Sequence, residues 1–189
     1  MDIIMSLEEL SAEEFVRTVD NKLHFCRNLQ SYNSQSSRIY QVERDGTLYV
    51  LKAVNLSWTT PLKKYVGERE ALLRASTVLG ITHLVQDYGK IEDLCGSEHY
   101  KAMLKEYAEG DPVGAFELSD PQRERYASQL TAIAKALHRC GISGLDLLPE
   151  NVIASSDRQQ ITLIDFYRGE IDSAKNRESD LRGARGLFL

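Results

Sequence analysis

The chain has 189 residues, 42% of them hydrophobic and 27% charged, so it is long enough to bury the core of one large or two small globular units. Its formal net charge is −5 with both signs interspersed, which argues against nucleic acid as a partner. No apolar run approaches the roughly 20 residues that span a bilayer, and the acidic first residues are unlike a secretion signal. We therefore expect a cytoplasmic protein without a transmembrane segment.

Cysteine and histidine are spread without the paired spacing of a disulfide framework or a zinc site. The cysteines are Cys26, Cys95 and Cys140. We expect reduced thiols in the core and structural roles for the four histidines.

The first third of the chain predicts one helix followed by strands. Ser6-Leu-Glu-Glu9 and Ser11-Ala-Glu-Glu14 each fit a capping box, which predicts a short helix through Phe15. Asp45-Gly46 is typical of a hairpin turn. The predicted strands cover residues 23–25, 38–42 and 49–54.

Further along, the pattern changes from strands to helices. A helix is predicted over about 62–78, strands near 84–88 and 100–104, and a break at residues 110–112. Asp120-Pro121 begins a long helix with apolar residues three and four apart, and Gly141 ends it. A hairpin over 151–155 and 160–164 follows. The succession of a strand-rich part and a helical part predicts an α+β fold.

Polar residues suited to phosphate chemistry flank this last hairpin. Asp146 and Asn151 lie five residues apart on a predicted loop, and Asp165 follows the apolar run of the second strand. Carboxylate and amide oxygens are the ligands that Mg²⁺ prefers. Upstream, Lys52 stands alone in an apolar strand, and Glu70 lies in the helical pattern that follows.

In this order, the features resemble the protein-kinase-like superfamily over about residues 20–185. Ile164-Asp-Phe-Tyr-Arg168 is similar to the motif of bacterial lipopolysaccharide core kinases, and RIO-type and similar minimal kinases are further compact relatives. The resemblance implies a single domain over 1–189 with a two-lobed kinase-like fold. An N-terminal helical extension (1–20) would precede an antiparallel-sheet N-lobe (about 21–108) and a truncated helical C-lobe (about 109–189).

The resemblance also implies roles for individual residues. Lys52 would contact the α- and β-phosphates of ATP, with Glu70 as its ion-pair partner and Glu68 as the alternative. Asp146 would orient the attacking hydroxyl, while Asn151 and Asp165 would hold Mg²⁺.

For the nucleotide, the resemblance places Ser34 and Ser37 in the phosphate loop, where the family has glycines. The backbone of Glu106 and Ala108 would contact adenine. Leu148 stands where typical protein kinases have a lysine, and Tyr167 replaces a glycine. For Asp180 two interpretations remain, a brace for the loop at Asp146 or a solvated charge on a final helix.

The activity implied is transfer of the γ-phosphoryl group of ATP, with Mg²⁺, to a hydroxyl acceptor on a protein or on a glycolipid sugar. A glycolipid acceptor would bring peripheral contact with a membrane, and a protein partner could complete the short C-lobe. The alternative is a pseudokinase that binds a partner protein with weak or no catalysis. The missing glycines and Leu148 favour that alternative.

Overall fold

The computed structural model describes residues 10–29, 36–92, 99–167 and 172–188. It confirms the α+β class: four helices accompany a five-stranded antiparallel sheet and a small three-stranded sheet in these residues. The chain divides into two compact units, Met1–Val66 with Leu84–Tyr107, and Gly67–His83 with Ala108–Leu189. The units part after Tyr107, and residues 67–83 belong with the second unit.

The first unit is built on the five-stranded sheet. Its strands are β1 (His24–Asn28), β2 (Ser37–Arg44), β3 (Thr47–Asn55), β4 (Leu84–Glu92) and β5 (His99–Glu106). Their order across the sheet is β1-β2-β3-β5-β4, and all neighbours are antiparallel. Asp45 and Gly46 both have positive φ between β2 and β3, which confirms the predicted hairpin turn.

Helix α1 (Ala12–Val19) covers one face of this sheet. It begins at the predicted capping box, where the Ser11 hydroxyl accepts from the Glu14 amide and the Glu14 carboxylate accepts from the Ser11 amide. The other predicted capping box, at Ser6, lies outside the described residues. Phe15 is fully buried, and its ring packs edge-on against Tyr100 with 5.2 Å between centroids. Aromatic packing on the sheet thus fixes α1.

Helix α2 (Thr59–Arg74) follows β3. We predicted it over about 62–78. It starts earlier because Pro61 is tolerated in a first helical turn, where its missing N–H costs nothing. It ends earlier because the chain tightens into a turn in which the Val78 amide donates to the Ala75 carbonyl at 2.9 Å.

The second unit packs helix α3 (Asp120–Arg139) against helix α4 (Ala174–Gly186). Tyr126 of α3 meets the Phe188 ring edge-on at 5.7 Å. The start of α3 and its end before Gly141 confirm the prediction. Beside the helices lies an antiparallel sheet of β6 (Asp111–Pro112), β7 (Val152–Ala154) and β8 (Ile161–Leu163).

Two expectations from composition can be compared with the described residues. Within the described ranges, no helix has the length and apolarity needed to cross a membrane. Cys26 and Cys140 are free thiols, as expected, but neither is buried in the core: Cys26 is exposed and Cys140 is half-buried. Cys95 lies outside the described residues.

Candidate functional site

The loop at residues 146–151, which we name the acidic loop, is closed by its own hydrogen bonds. The Leu148 amide donates to the Asp146 carbonyl at 3.0 Å, and the Asn151 amide donates to the Leu148 carbonyl at 2.9 Å. The Asn151 side chain donates from Nδ2 to the Asp146 carbonyl at 3.0 Å. Asp146 and Asn151, five residues apart in sequence, are therefore held together at the two ends of one short turn.

Backbone hydrogen bonds join the acidic loop to the segment 164–167. The Asp146 amide donates to the Phe166 carbonyl at 2.9 Å, and the Ile164 amide donates to the Asn151 carbonyl at 2.8 Å. These two bonds lie on either side of Asp165. The second unit thus brings together the three residues that we predicted for hydroxyl orientation and metal binding.

Asp165 adopts a backbone conformation that few residues with a side chain occupy. Its φ is +44°, in the left-handed region. Aspartate tolerates this region better than most residues, but the conformation still costs on the order of 1 kcal/mol or more. Such conformations are frequent where a side chain must be aimed at a ligand. Asp165 is half-buried, two residues after the end of β8 and next to Phe166, a position that fits that role.

Asp180 of α4 holds the backbone immediately before the acidic loop. Its carboxylate is 5% exposed and accepts from the Gly144 amide at 2.9 Å and from the Leu145 amide at 2.8 Å. His138 Nε2 of α3 lies 2.9 Å from the same carboxylate. Of the two interpretations of Asp180, the structure supports the brace. Three polar groups thus share one buried carboxylate, so α4, contacted by His138 of α3, holds the backbone before Asp146.

The acidic loop and segment 164–167 offer suitable donors for Mg²⁺. Because Asn151 Nδ2 donates to the Asp146 carbonyl, its Oδ1 is the atom left to face a ligand. An amide oxygen and the Asp165 carboxylate are hard donors, and Mg²⁺ commonly takes only one or two protein ligands alongside water and substrate phosphates. Among the described residues, no group of three or more His, Cys, Asp or Glu could hold a metal ion.

The two glutamates of α2 differ in burial. Glu68 is 7% exposed, whereas Glu70, our predicted partner for Lys52, faces solvent. A carboxylate is seldom buried without a task, because removing it from water is costly unless charged or polar groups compensate. Burial thus distinguishes Glu68, which the sequence left as the alternative.

In the first unit, Lys52 lies in the middle of β3, opposite Ile39 of β2 and Met103 of β5. Its side chain is half-buried, on the face away from α1. The register places Ser37 on the same face as a diagonal neighbour. Lys105 shares this face too and is 4% exposed. The sequence offered one signal for Lys105, the alternation of β5, and we overlooked it.

The remaining predicted residues are placed as follows. Glu106 is the exposed last residue of β5, and Ala108 begins the longer of the two segments that make up the second unit. Ser34 lies outside the described residues. Leu148, within the acidic loop, is 38% exposed.

Compared with models of protein families and with curated proteins, the chain matches none of them.

Proposed function

We propose that this protein is a Mg²⁺-dependent phosphotransferase with a two-lobed kinase-like fold, which transfers the γ-phosphoryl group of ATP to a hydroxyl group. The observation that carries the proposal is the junction of the acidic loop with segment 164–167. It brings together Asp146, Asn151 and Asp165. Asp180 holds the backbone at Leu145, immediately before Asp146. The left-handed backbone of Asp165 and the buried carboxylate of Asp180 support the proposal.

In the proposed reaction the acceptor oxygen attacks the γ-phosphorus, and the bond between that phosphorus and the β,γ-bridging oxygen breaks to release ADP. Asp146 orients the acceptor hydroxyl and takes its proton. Asn151 Oδ1 and the Asp165 carboxylate would hold Mg²⁺, which when bound neutralises charge on the phosphate oxygens. Lys52 is proposed to contact the phosphates, and Glu68 replaces Glu70 as the helix carboxylate of the site.

Adenine is proposed to bind the backbone of Glu106 and Ala108, and Ser37 to help hold the phosphates in place of glycine amides. Since ATP is the donor, we place the activity in the cytoplasm. The acceptor is a protein or a glycolipid sugar, the second of which would require peripheral contact with a membrane. Radiolabelled ATP separates the two: label in proteins of a cell lysate indicates the first, and label in purified lipopolysaccharide indicates the second.

Thermal unfolding tests the nucleotide site. With Mg²⁺ and ATP at about 100 times the dissociation constant, the free energy of unfolding should rise by about 2.7 kcal/mol. Asp165→Ala should lose this rise. Glu124→Gln, which removes an exposed charge of α3, should keep it. An equal rise in Asp165→Ala would contradict the proposed metal ligand, and no rise in the wild type would contradict the function.

One observation favours the second candidate, a pseudokinase that binds a partner protein. Leu148 presents an exposed apolar side chain in the acidic loop, where a phosphate-neutralising cation would assist transfer. Under this alternative, Mg²⁺ and ATP bind with little or no turnover in any lysate fraction, and Leu148→Lys does not raise it. Turnover by the wild type at about 1 s⁻¹ or faster, as in kinases, would exclude the pseudokinase.

A further inference from the structure

Gly67 occupies the interior of α2, where glycine is less favourable than alanine because it loses more backbone freedom on folding. The structure gives it a packing role. A Cβ built on Gly67 would overlap Cε1 of Tyr167 and would lie 2.9 Å from both Cζ and Oη of that ring. The ring of Tyr167 therefore takes up the space that any other residue at position 67 would fill.

The backbone of Tyr167 is anchored elsewhere. It forms an antiparallel bridge with Leu145, the residue before Asp146. The neighbouring Phe166 carbonyl accepts from the Asp146 amide, and the Phe166 side chain is 2% exposed. Tyr167 is thus joined through its backbone to Leu145, the residue before the acidic loop, and through its ring to α2. All of these residues belong to the second unit.

We propose that Tyr167 is a positioning residue. Its ring packs against Gly67 and so holds segment 164–167, which includes Asp165, at a fixed distance from the part of α2 that carries Glu68. The acidic loop, which is bonded to this segment, is held with it. The catalytic consequence rests on the proposed phosphotransfer. A displacement of about 1 Å in reacting groups can lower the rate a hundredfold. A ring that keeps Asp165 at a fixed distance from Glu68 would therefore preserve the rate of phosphotransfer.

A stability cycle tests the contact without nucleotide, using Gly67→Ala, Tyr167→Ala and the double variant. In the wild-type background, Gly67→Ala should displace the Tyr167 ring and lower Tm by about 2–4 °C. In the Tyr167→Ala background the same change should raise Tm, because only the higher helix propensity of alanine remains. A rise in both backgrounds, or a fall in both, would overturn the proposed contact.

Hydrogen exchange and nucleotide binding test the positioning. Gly67→Ala should speed exchange of amides in residues 144–151 and leave those in residues 47–55 unchanged, which a general loss of stability would not do. It should also weaken Mg²⁺-dependent ATP binding by about tenfold, or about 1.4 kcal/mol. Tyr167→Phe, which keeps the ring, should retain wild-type exchange and binding. Unchanged exchange in residues 144–151 would overturn the positioning role.

These outcomes separate the two proposals. If the wild type fails to bind ATP with Mg²⁺, the phosphotransferase fails, while the stability cycle and exchange still decide the role of Tyr167. If the wild type binds ATP and Gly67→Ala binds it equally well, Tyr167 is a packing residue and the positioning proposal is wrong.

Discussion

The carboxylate of Asp180 accepts a 2.8 Å hydrogen bond from the Leu145 amide, across 35 residues of sequence, and so sets the backbone that leads into Asp146. A second bond from Gly144 and the nearby His138 ring complete its surroundings. The α4 helix is therefore tied to the proposed site by a buried polar group and not only by apolar packing.

Removal of this carboxylate should be costly. Asp180→Ala leaves two buried backbone N–H groups unpaired, each worth about 1–3 kcal/mol, so we expect the free energy of unfolding to fall by about 3 kcal/mol in urea titrations. Glu178→Gln is the control, because Glu178 lies on the same helix with 71% of its side chain exposed. A loss below about 1 kcal/mol for Asp180→Ala would show that the brace is not needed for stability.

The two glutamates of α2 should differ in activity. Glu68→Gln removes a buried charge, and we expect kcat/KM for ATP to fall by more than about tenfold. Glu70→Gln changes an exposed, solvated carboxylate and should stay within about twofold of the wild type. Steady-state kinetics with radiolabelled ATP, and with whichever of the two acceptors takes up the label, provide the comparison. The reverse order of effects would restore Glu70 to the role that we first predicted from the sequence.

Acid stability should depend on Asp172. Hydrogen bonds from Arg177, one of them 2.9 Å from Nε, and from Ser143 lower the pKa of Asp172 from 3.8 to about 2. Because the pKa is lowered in the folded protein, the stabilisation is complete above the ordinary pKa and is lost as the pH falls through about 2.

We therefore expect Asp172→Asn to have a lower Tm than the wild type at pH 7, and this difference to shrink between about pH 4 and pH 2. The effect should be modest, since both side chains are partly exposed. Thermal unfolding at a series of pH values measures it. A Tm difference that is independent of pH would show that the ion pair does not contribute.

Helix α1 should be essential to the first unit. Phe15 is fully buried between Tyr40 and Tyr100, and the Arg38 guanidinium lies 4.5 Å from the centroid of its ring. Phe15→Ala should lower the free energy of unfolding by about 3–5 kcal/mol. Glu13→Ala, on the exposed face of the same helix, should change it by less than about 0.5 kcal/mol. Similar values for the two variants would mean that α1 is not part of the core.

Local signals in the sequence predicted most of the elements. Capping residues, a hairpin turn and apolar spacing act within a few residues, so α1, α3 and the turn at Asp45 were placed well. The end of α2 was missed because the following turn continues the helical spacing without the helical hydrogen bonds.

Features that depend on contacts between residues far apart in the sequence could not be predicted from such local signals. Asp180 accepts from two amides, and an amide gives no sign in the sequence of what it will bind. The Tyr167 ring fills the space that a side chain at position 67 would need. The two residues are 100 positions apart in sequence, so this contact is visible only in the structure. Burial of Glu68 rather than Glu70 depends likewise on the surface that covers α2.

Calorimetric titration of ATP into the wild type and into Asp165→Asn, with and without Mg²⁺, tests the central claim most directly. Asp165→Asn keeps the size of the side chain while removing the charge that a hard cation needs. We predict Mg²⁺-dependent binding to the wild type that is weakened at least about tenfold in the variant. Two results would contradict the assignment of Asp146, Asn151 and Asp165 to a phosphotransfer site. One is ATP binding that depends neither on Mg²⁺ nor on the substitution, and the other is no binding of ATP to a folded wild type.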